Sequence, residues 1–180
     1  INPFDEPNVQ EAKDRTNALL DRFAKDGKLP DGAPLLGTNP AAAETLGGFL
    51  RKADAGDYVA VLSFLPRTDA NDQAVEAFRQ RVAEATRVVT TVGHGPRYLH
   101  SSGQLHKGGP DRVVAVVLTA DDPQDVPIPG RPYSFGMLKR AQALGDIEAL
   151  TERRRRLLHV HLGASPASAL SHLSHALETP

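Results

Sequence analysis

Four short runs rich in β-branched residues, separated by segments with helical periodicity, constrain the fold of this chain more than any other feature. The runs start at Tyr58, Arg87, Asp111 and Leu157 and read YVAVLSFL, RVVTTVG, DRVVAVVLTA and LLHVHLG. Strands that are apolar along almost their whole length are buried on both faces, which is typical of a parallel sheet covered by helices. The alternation of strand and helix therefore predicts a three-layer α/β fold with a mainly parallel sheet.

The helices of this fold are predicted from apolar periodicity and from the residues that end them. Asp69 to Thr86 and Pro166 to Leu177 each follow a strand, and Ser134 to Arg153 is helical with an expected break near Gly145. The segment YLHSSGQLHKGGP, between the second and third strands, is predicted to be a strand-to-helix loop. In such sheets ligands gather at the carboxyl ends of strands, so we expect a site in the loops after the last three strands.

The N-terminal part of the chain has a different character. It consists of a predicted helix from Pro7 to Lys25, a turn-rich linker from Lys28 to Pro40, and an Ala-rich helix from Ala41 to Asp54. We therefore divide the chain into an N-terminal helical segment, residues 1–55, and an α/β domain, residues 56–180. The first helix is expected to be detached from the α/β domain, as the closing helix of a preceding domain.

Composition excludes several classes of function. Lys and Arg number 21 against 22 Asp and Glu, and a net charge of -1 gives no field for steering toward nucleic acid or an anionic membrane. The absence of cysteine removes disulfides, thiolate catalysis and Cys-ligated zinc. No apolar run approaches the roughly 20 residues that a bilayer needs, and no signal peptide is recognisable. We expect a cytoplasmic protein that binds neither nucleic acid nor membranes.

Two motifs carry a resemblance to a known family. INPFDEPNVQEAK, residues 1–13, is similar to the signature near the end of glucose-6-phosphate isomerases. The matching positions are Phe4, Asp5, Val9 and Lys13, and the departures are Glu6 for Gln, Asn8 for Gly and Gln10 for Glu. LHSSGQLHKGG, residues 99–109, resembles a second isomerase segment in which a His is followed by Ser, another residue, Gly and Gln.

Together with VPIPGRPYSFGMLKRAQALGD, these motifs resemble the end of the bifunctional transaldolase/glucose-6-phosphate isomerases over nearly the whole chain. The stretch YSFGMLKRAQAL, Tyr133 to Leu144, is similar to a helix of the sugar isomerase (SIS) fold. The resemblance implies an SIS-like domain appended after the ordinary isomerase domains, with no metal or organic cofactor. The chain starts without Met, and we expect upstream isomerase and transaldolase domains of the same protein to be its partners.

The resemblance also implies roles for particular residues. Lys13 takes the position of the family's active-site Lys near the sugar ring oxygen, where an ammonium offsets negative charge on an enediolate. His100 falls on the family's His that assists ring opening, a task for which an imidazole is suited because it exchanges protons near neutrality. The implied substrate contacts are Arg97, Ser101, Gln104 and Glu6, whose carboxylate accepts hydroxyl hydrogen bonds but repels a phosphate.

The implied function is aldose–ketose isomerisation of glucose 6-phosphate and fructose 6-phosphate through a cis-enediol. The family's Glu base, its charge-steadying Arg and its Ser/Thr-rich phosphate loop have no counterpart here. We therefore expect the chain to contribute Lys13 and His100 to a site completed by upstream residues, and to be inactive alone. The alternatives are a non-catalytic sugar-phosphate-binding or scaffold domain and a generic α/β ligand-binding domain.

Two other groups of residues are weighed against purely structural roles. His159 and His161 share a strand face, and His172 and His175 share a helix face, so four imidazoles raise the question of zinc. Nothing in the sequence sets the two pairs within reach of each other. The run ERRRRLL, from Glu152, is more typical of a helix end that faces water than of a phosphate site. We expect no metal in this chain.

Overall fold

The computed structural model describes residues 7–177, in which one five-stranded parallel sheet has helices on both faces. The strands are β1 (Leu35–Leu36), β2 (Tyr58–Phe64), β3 (Val89–His94), β4 (Val113–Thr119) and β5 (Arg156–His161), in the spatial order β1-β5-β4-β2-β3. The helices are α1 (Pro7–Asp26), α2 (Ala42–Leu50), α3 (Asp69–Thr86), α4 (Gly103–Gly108), α5 (Phe135–Glu152) and α6 (Pro166–Ala176). The predicted three-layer α/β fold is confirmed. No helix within residues 7–177 has both the length and the apolar character that crossing a membrane requires.

The centre of the sheet is formed by β2 and β4, which are buried along almost their whole length. One face of the sheet packs against α2, α3 and α6, and the other packs against α5 and the short 3-10 turn Arg97–His100. The chain leaves β2 toward β3 on one side and leaves β4 toward β5 on the other. The loops after β2 and β4 therefore diverge, which is the arrangement that opens a crevice in a doubly wound sheet.

The first helix packs on α5, whereas the sequence led us to expect a detached helix. Leu19 and Leu20 of α1 join an apolar cluster with Leu144 of α5. Beside this cluster, Nη1 of Arg15 donates a hydrogen bond of 2.9 Å to Glu152. The apolar face of α1 is thus buried against α5.

The glycine in α5 serves this contact. The predicted break near Gly145 is wrong, because α5 runs continuously from Phe135 to Glu152. A Cβ atom at Gly145 would lie 3.3 Å from Cβ of Arg15 and 3.4 Å from the backbone N of Thr16. The missing side chain allows the backbone of α1 to approach α5 closely, so the glycine marks a helix crossing.

The linker before α2 contains a strand that the sequence did not reveal. β1 pairs in parallel with β5, with Leu35 opposite Val160. α2 also packs with the later elements, since Leu46 is fully buried in the cluster that includes Leu170 of α6. The division of the chain after residue 55 stays a prediction, while β1 and α2 contribute to the sheet and core of the α/β fold.

The arginine run has a structural role. Three of its arginines donate hydrogen bonds to other parts of the fold. Arg153 donates to Glu11, Arg155 donates to the carbonyl of Lys107, and Arg156 donates to Asp57. The bond from Arg156 is 2.6 Å long and is the main reason why the pKa of Asp57 is lowered to about 2. These contacts tie the end of α5 and the start of β5 to neighbouring elements, so three of the four arginines already have structural partners.

Candidate functional site

Two clefts lie against different faces of α5. The first, which we call the α1–α5 cleft, has a volume of about 250 Å³. Its lining residues are Ala12, Lys13, Thr16, Asn17, Leu99, His100, Leu138 and Gln142. Lys13 and His100, which are 87 positions apart in the sequence, thus face the same cleft.

The α1 side of this cleft follows from helical spacing. Residues 12, 13, 16 and 17 lie one turn apart in two pairs and so share one side of the helix. Ala12 and Thr16 are buried, and the Thr16 hydroxyl donates a 2.8 Å hydrogen bond to the carbonyl of Ala12. Lys13 and Asn17 are exposed beside them, so the polar groups that α1 presents to the cleft are an ammonium and a carboxamide.

The opposite side of the cleft is anchored by a buried network. The Tyr98 hydroxyl donates to Asp146 at 2.5 Å, and Nζ of Lys107 donates to the other oxygen of the same carboxylate at 2.7 Å. The side chains of Lys107 and Asp146 are 0% and 2% exposed, and burial holds the pKa of Tyr98 well above its ordinary value. The turn that ends at His100 is therefore fixed to α5, the helix that carries Gln142.

Four polar side chains of the α1–α5 cleft are open to a ligand. Within residues 7–177, none of them has a hydrogen-bonding or ionic partner for its side chain; they are Lys13, Asn17, His100 and Gln142. Imidazole, ammonium and carboxamide groups together donate and accept hydrogen bonds, which suits a ligand rich in hydroxyl groups. Sequence reasoning missed Asn17 and Gln142. The spacing of Asn17 from Lys13 could have identified it, whereas Gln142 required knowledge of the helix crossing.

The other predicted contact residues have varied positions. Arg97 and Ser101 are exposed beside His100 and are not among the residues that line the cleft. Gln104 is partly buried, and its Oε1 has no hydrogen-bond partner among the described residues. Glu6 lies outside the described residues. The structure therefore brings together Lys13 and His100 but does not place Arg97, Ser101 or Gln104 in the cleft wall.

The second cleft, which we call the strand-end cleft, lies at the carboxyl ends of β2, β4 and β5. The sequence predicts ligand binding after β3, β4 and β5, and the lining of this cleft includes the ends of β4 and β5 but no residue of β3. Its volume is about 500 Å³. The apolar part of its lining includes Phe64, Met137, Ala143 and Leu144, and β1 adds Leu36. This is the size and character of a pocket for a small molecule.

One wall of the strand-end cleft is a chain of hydrogen-bonding side chains. Oγ1 of Thr119 lies 2.8 Å from Nε2 of His159 and 3.1 Å from Nδ1 of His161, so the two imidazoles share a strand face as predicted. Nε2 of His161 lies 3.3 Å from the carboxylate of Asp121. Burial lowers the pKa of His159 to about 4. The backbone of Gly32 lies close to the ring and opposes part of this shift, although it is outside hydrogen-bond geometry.

These imidazoles do not form a metal centre with the other pair. His172 and His175 lie on α6, which packs on the opposite face of the sheet from α5. Among the described residues, no three His, Asp or Glu side chains are grouped so that they could hold a metal ion. The four imidazoles are thus two separate pairs in the structure.

The N-terminus of α5, at the rim of the strand-end cleft, is occupied by the protein's own carboxylate. Asp125 accepts a 2.8 Å hydrogen bond from the backbone N–H of Gly136, and the Ser134 hydroxyl also donates to it. The hydrogen bond from Ser134 is the largest cause of the lowered pKa of Asp125. A Cβ atom at Gly136 would lie 2.7 Å from Asp122 and 2.8 Å from Asp125, so any side chain at this position would have to displace one or both carboxylates.

Comparison with known proteins identifies the fold and nothing further. A crystal structure of a hypothetical protein from Thermus thermophilus matches with a TM-score of 0.60 and 17% sequence identity over 91% of this chain. The chain spans 42% of the length of that structure. No protein-family model and no curated protein matches the sequence. At this level of identity the likeness shows a shared α/β architecture alone.

Proposed function

We propose that this chain is the C-terminal part of an aldose–ketose isomerase that interconverts glucose 6-phosphate and fructose 6-phosphate. The α1–α5 cleft would be the ring-opening region of its active site. The observation that supports this proposal is that Lys13 and His100 line one cleft. Two separate motifs selected these residues, and nothing in their sequence positions requires them to meet.

The chemistry of the cleft fits ring opening of a cyclic sugar. His100 gives a proton to the ring oxygen as the ring C–O bond breaks, while a water molecule takes the proton of the anomeric hydroxyl, which becomes the carbonyl. The Lys13 ammonium donates to the same region of the sugar and offsets negative charge in the enediolate that follows. The carboxamides of Asn17 and Gln142 bind and orient hydroxyl groups.

Proton transfer between the two adjacent carbons needs a base, and the described lining of this cleft has no carboxylate to serve as one. Among residues 7–177, those lining it include no Asp or Glu, and about 250 Å³ is below the usual range of roughly 300–1,000 Å³ for a complete small-molecule site. We therefore propose that upstream domains of the same chain supply the base and the phosphate contacts, and that the isolated chain is inactive. The proposed location is the cytoplasm, which fits a sequence without cysteine.

The absence of a carboxylate from the described lining also supports one alternative function. A domain that binds or supports a sugar-phosphate site without taking part in the chemistry would need no carboxylate in its cleft. The two functions differ in the effect of His100 on turnover in the intact protein. A catalytic role makes His100 necessary for isomerisation of cyclic substrate, whereas a scaffold role leaves the rate almost unchanged when its side chain is removed.

Binding can be tested on the isolated chain by NMR. Titration with fructose 6-phosphate should shift the ring resonances of His100 and the side-chain amide resonances of Gln142. Lys13→Met should weaken the interaction by about tenfold, the scale of a lost hydrogen bond to a charged group. Lys25→Met, near the end of the same helix and outside the cleft, is the matched control. Shifts confined to Thr119, His159 and His161 would contradict the assignment of the α1–α5 cleft.

A further inference from the structure

We propose that the strand-end cleft is a second ligand site, which binds an uncharged, nucleoside-like molecule consisting of a flat heterocycle that carries hydroxyl groups. The proposal does not depend on the isomerase function, because it concerns residues on the other face of α5. It is carried by three features of the cleft: its position, its hydrogen-bonding wall and the carboxylate that fills the N-terminus of α5.

The position and lining of the cleft fit a flat ring. The cleft lies at the carboxyl ends of β2, β4 and β5, beside the loop after β4, and doubly wound sheets bind ligands outside the carboxyl ends of their strands. Phe64, Met137 and Leu144 give its interior an apolar character, and about 500 Å³ accommodates a heterocycle with one sugar ring. The apolar interior favours a ring that leaves few polar atoms unpaired.

The hydrogen-bonding wall offers polar contacts without a buried charge. When Nε2 of His161 donates to Asp121, its Nδ1 is the acceptor for the Thr119 hydroxyl, and Nε2 of His159 donates to the hydroxyl oxygen. In this arrangement the three side chains bond one another, and Nδ1 of His159, which is buried without a hydrogen-bond partner among the described residues, remains as an acceptor for a ligand donor. The Asp121 carboxylate, which is 61% exposed, remains able to accept hydrogen bonds from ligand hydroxyls at the cleft mouth.

The phosphate of a nucleotide is excluded by the protein's own carboxylates. In nucleotide sites of this architecture the phosphate sits at a helix N-terminus, where backbone N–H groups bind it. Here the backbone amide of Gly136 donates its hydrogen bond to Asp125 instead. Asp122 lies next to Gly136 and forms an ion pair with Lys139. The cleft lining includes four aspartates and only two residues with permanent positive charge, Lys139 and Arg140. An anionic ligand would have to displace Asp125 and approach this negative rim.

The proposal is tested by titrating the whole chain with adenosine and with AMP. The two ligands contain the same nucleoside and differ only in the phosphate group of AMP. Calorimetry should give a dissociation constant for adenosine at least about tenfold lower than for AMP, and the His159 ring resonances should shift. Thr119→Val should weaken adenosine binding by about tenfold and Thr119→Ser should restore it. Thr91→Val, on β3 outside the cleft, is the control. Absence of adenosine binding, equal binding of AMP, or displacement of adenosine by fructose 6-phosphate would overturn the proposal.

A gain of function tests the carboxylate itself. Asp125→Ala exposes the Gly136 amide and removes one negative charge, so AMP binding should tighten by about tenfold while adenosine binding stays within about twofold. Glu148→Ala, an exposed charge removal on the same helix, should change neither value. If AMP binds to Asp125→Ala no more tightly than to the unchanged protein, Asp125 does not exclude the phosphate and the proposed selectivity is wrong.

Discussion

The two clefts beside α5 handle their polar groups in opposite ways. In the α1–α5 cleft, Lys13 and His100 lie in the lining without side-chain partners among residues 7–177. In the strand-end cleft, Thr119 joins two imidazoles, and Asp125 is bonded by the chain's own donors. Polar groups that the fold leaves unsatisfied are available to a charged or polyhydroxylated ligand. Groups that are mostly bonded to one another, with Nδ1 of His159 as the exception, favour a ligand that makes few polar contacts.

Both clefts depend on α5, so the largest expected effect comes from removing its buried anchor. Asp146→Ala leaves the ammonium of Lys107 uncompensated in the interior, and we expect the free energy of unfolding to fall by about 3–5 kcal/mol. Urea denaturation measures the change, and both clefts should lose their ligands together. Glu148→Ala, exposed on the same helix, is the matched control.

The double variant Lys107→Met with Asp146→Leu sharpens this test. It removes both charges, so it should be more stable than Asp146→Ala alone, because apolar side chains can replace a buried ion pair at little cost. A single Asp146→Ala variant that loses under about 1 kcal/mol would show that water reaches Lys107 and that the anchor is not buried as described.

The next largest effect separates the clefts by function. If the proposed isomerase function is correct, His100→Ala in the intact protein should lower the rate on cyclic substrate by roughly 10²-fold, the usual scale for a lost general acid-base group. Lys13→Ala should do comparable damage, and the two losses should not add if both residues serve ring opening. Thr119→Val, in the other cleft, should leave the rate within about twofold. Near-normal turnover by His100→Ala would favour the scaffold function.

The pH dependence of stability distinguishes the buried imidazoles. The pKa values of His106 and His159 are each lowered from 6.5 to about 4, chiefly by burial. Below pH 6.5 these two histidines bind protons in the unfolded chain but not in the folded chain. The free energy of unfolding should therefore fall as the pH is lowered from about 6.5 to about 4. His159→Gln should make this slope shallower. His100→Gln is the control for loss of an imidazole, and an equal change in that variant would contradict the assignment to His159.

The smallest expected effect concerns the helix crossing that forms only the α1–α5 cleft. Gly145→Ala gains about 1 kcal/mol of helix propensity but crowds Arg15 and Thr16, so we expect a net change within about 0.5 kcal/mol. Gly47→Ala in α2 meets its nearest neighbour at an ordinary 3.5 Å and should stabilise the protein by about 0.5–1 kcal/mol. Urea denaturation compares the two variants. Equal stabilisation by Gly145→Ala and Gly47→Ala would mean that α1 does not pack closely against α5 at Gly145.

The sequence was a sufficient guide where a feature is local and periodic. The predicted bounds of α3 agree with the structure, because Thr68 accepts a hydrogen bond from the Asn71 N–H at one end and Arg87 adopts a left-handed conformation at the other. The central strands were visible as unbroken apolar runs. β1 was not, because two residues carry no periodicity and their pairing partner is β5, far along the chain. Prediction therefore fails where structure is set by distant contacts.

The candidate sites follow the same rule. Motifs selected Lys13 and His100, but Gln142 belongs to their cleft only because α1 crosses α5 at Gly145. The pairing of His159 with His161 was predictable from strand alternation. Their meeting with Thr119 was not, since it depends on the register in which β4 lies beside β5.

The pairing of β1 with β5 also constrains how the protein is made. Leu35 lies opposite Val160, so 125 positions of chain separate two neighbours in one sheet. During synthesis β1 leaves the ribosome well before β5 and cannot form this pairing until β5 has emerged. Contacts of such high sequence separation slow folding, because the entropy of closing the loop is lost before the pairing contributes favourable free energy. The strand-end cleft, which takes one wall from β5 and part of another from β1, is therefore among the last parts of the molecule to take shape.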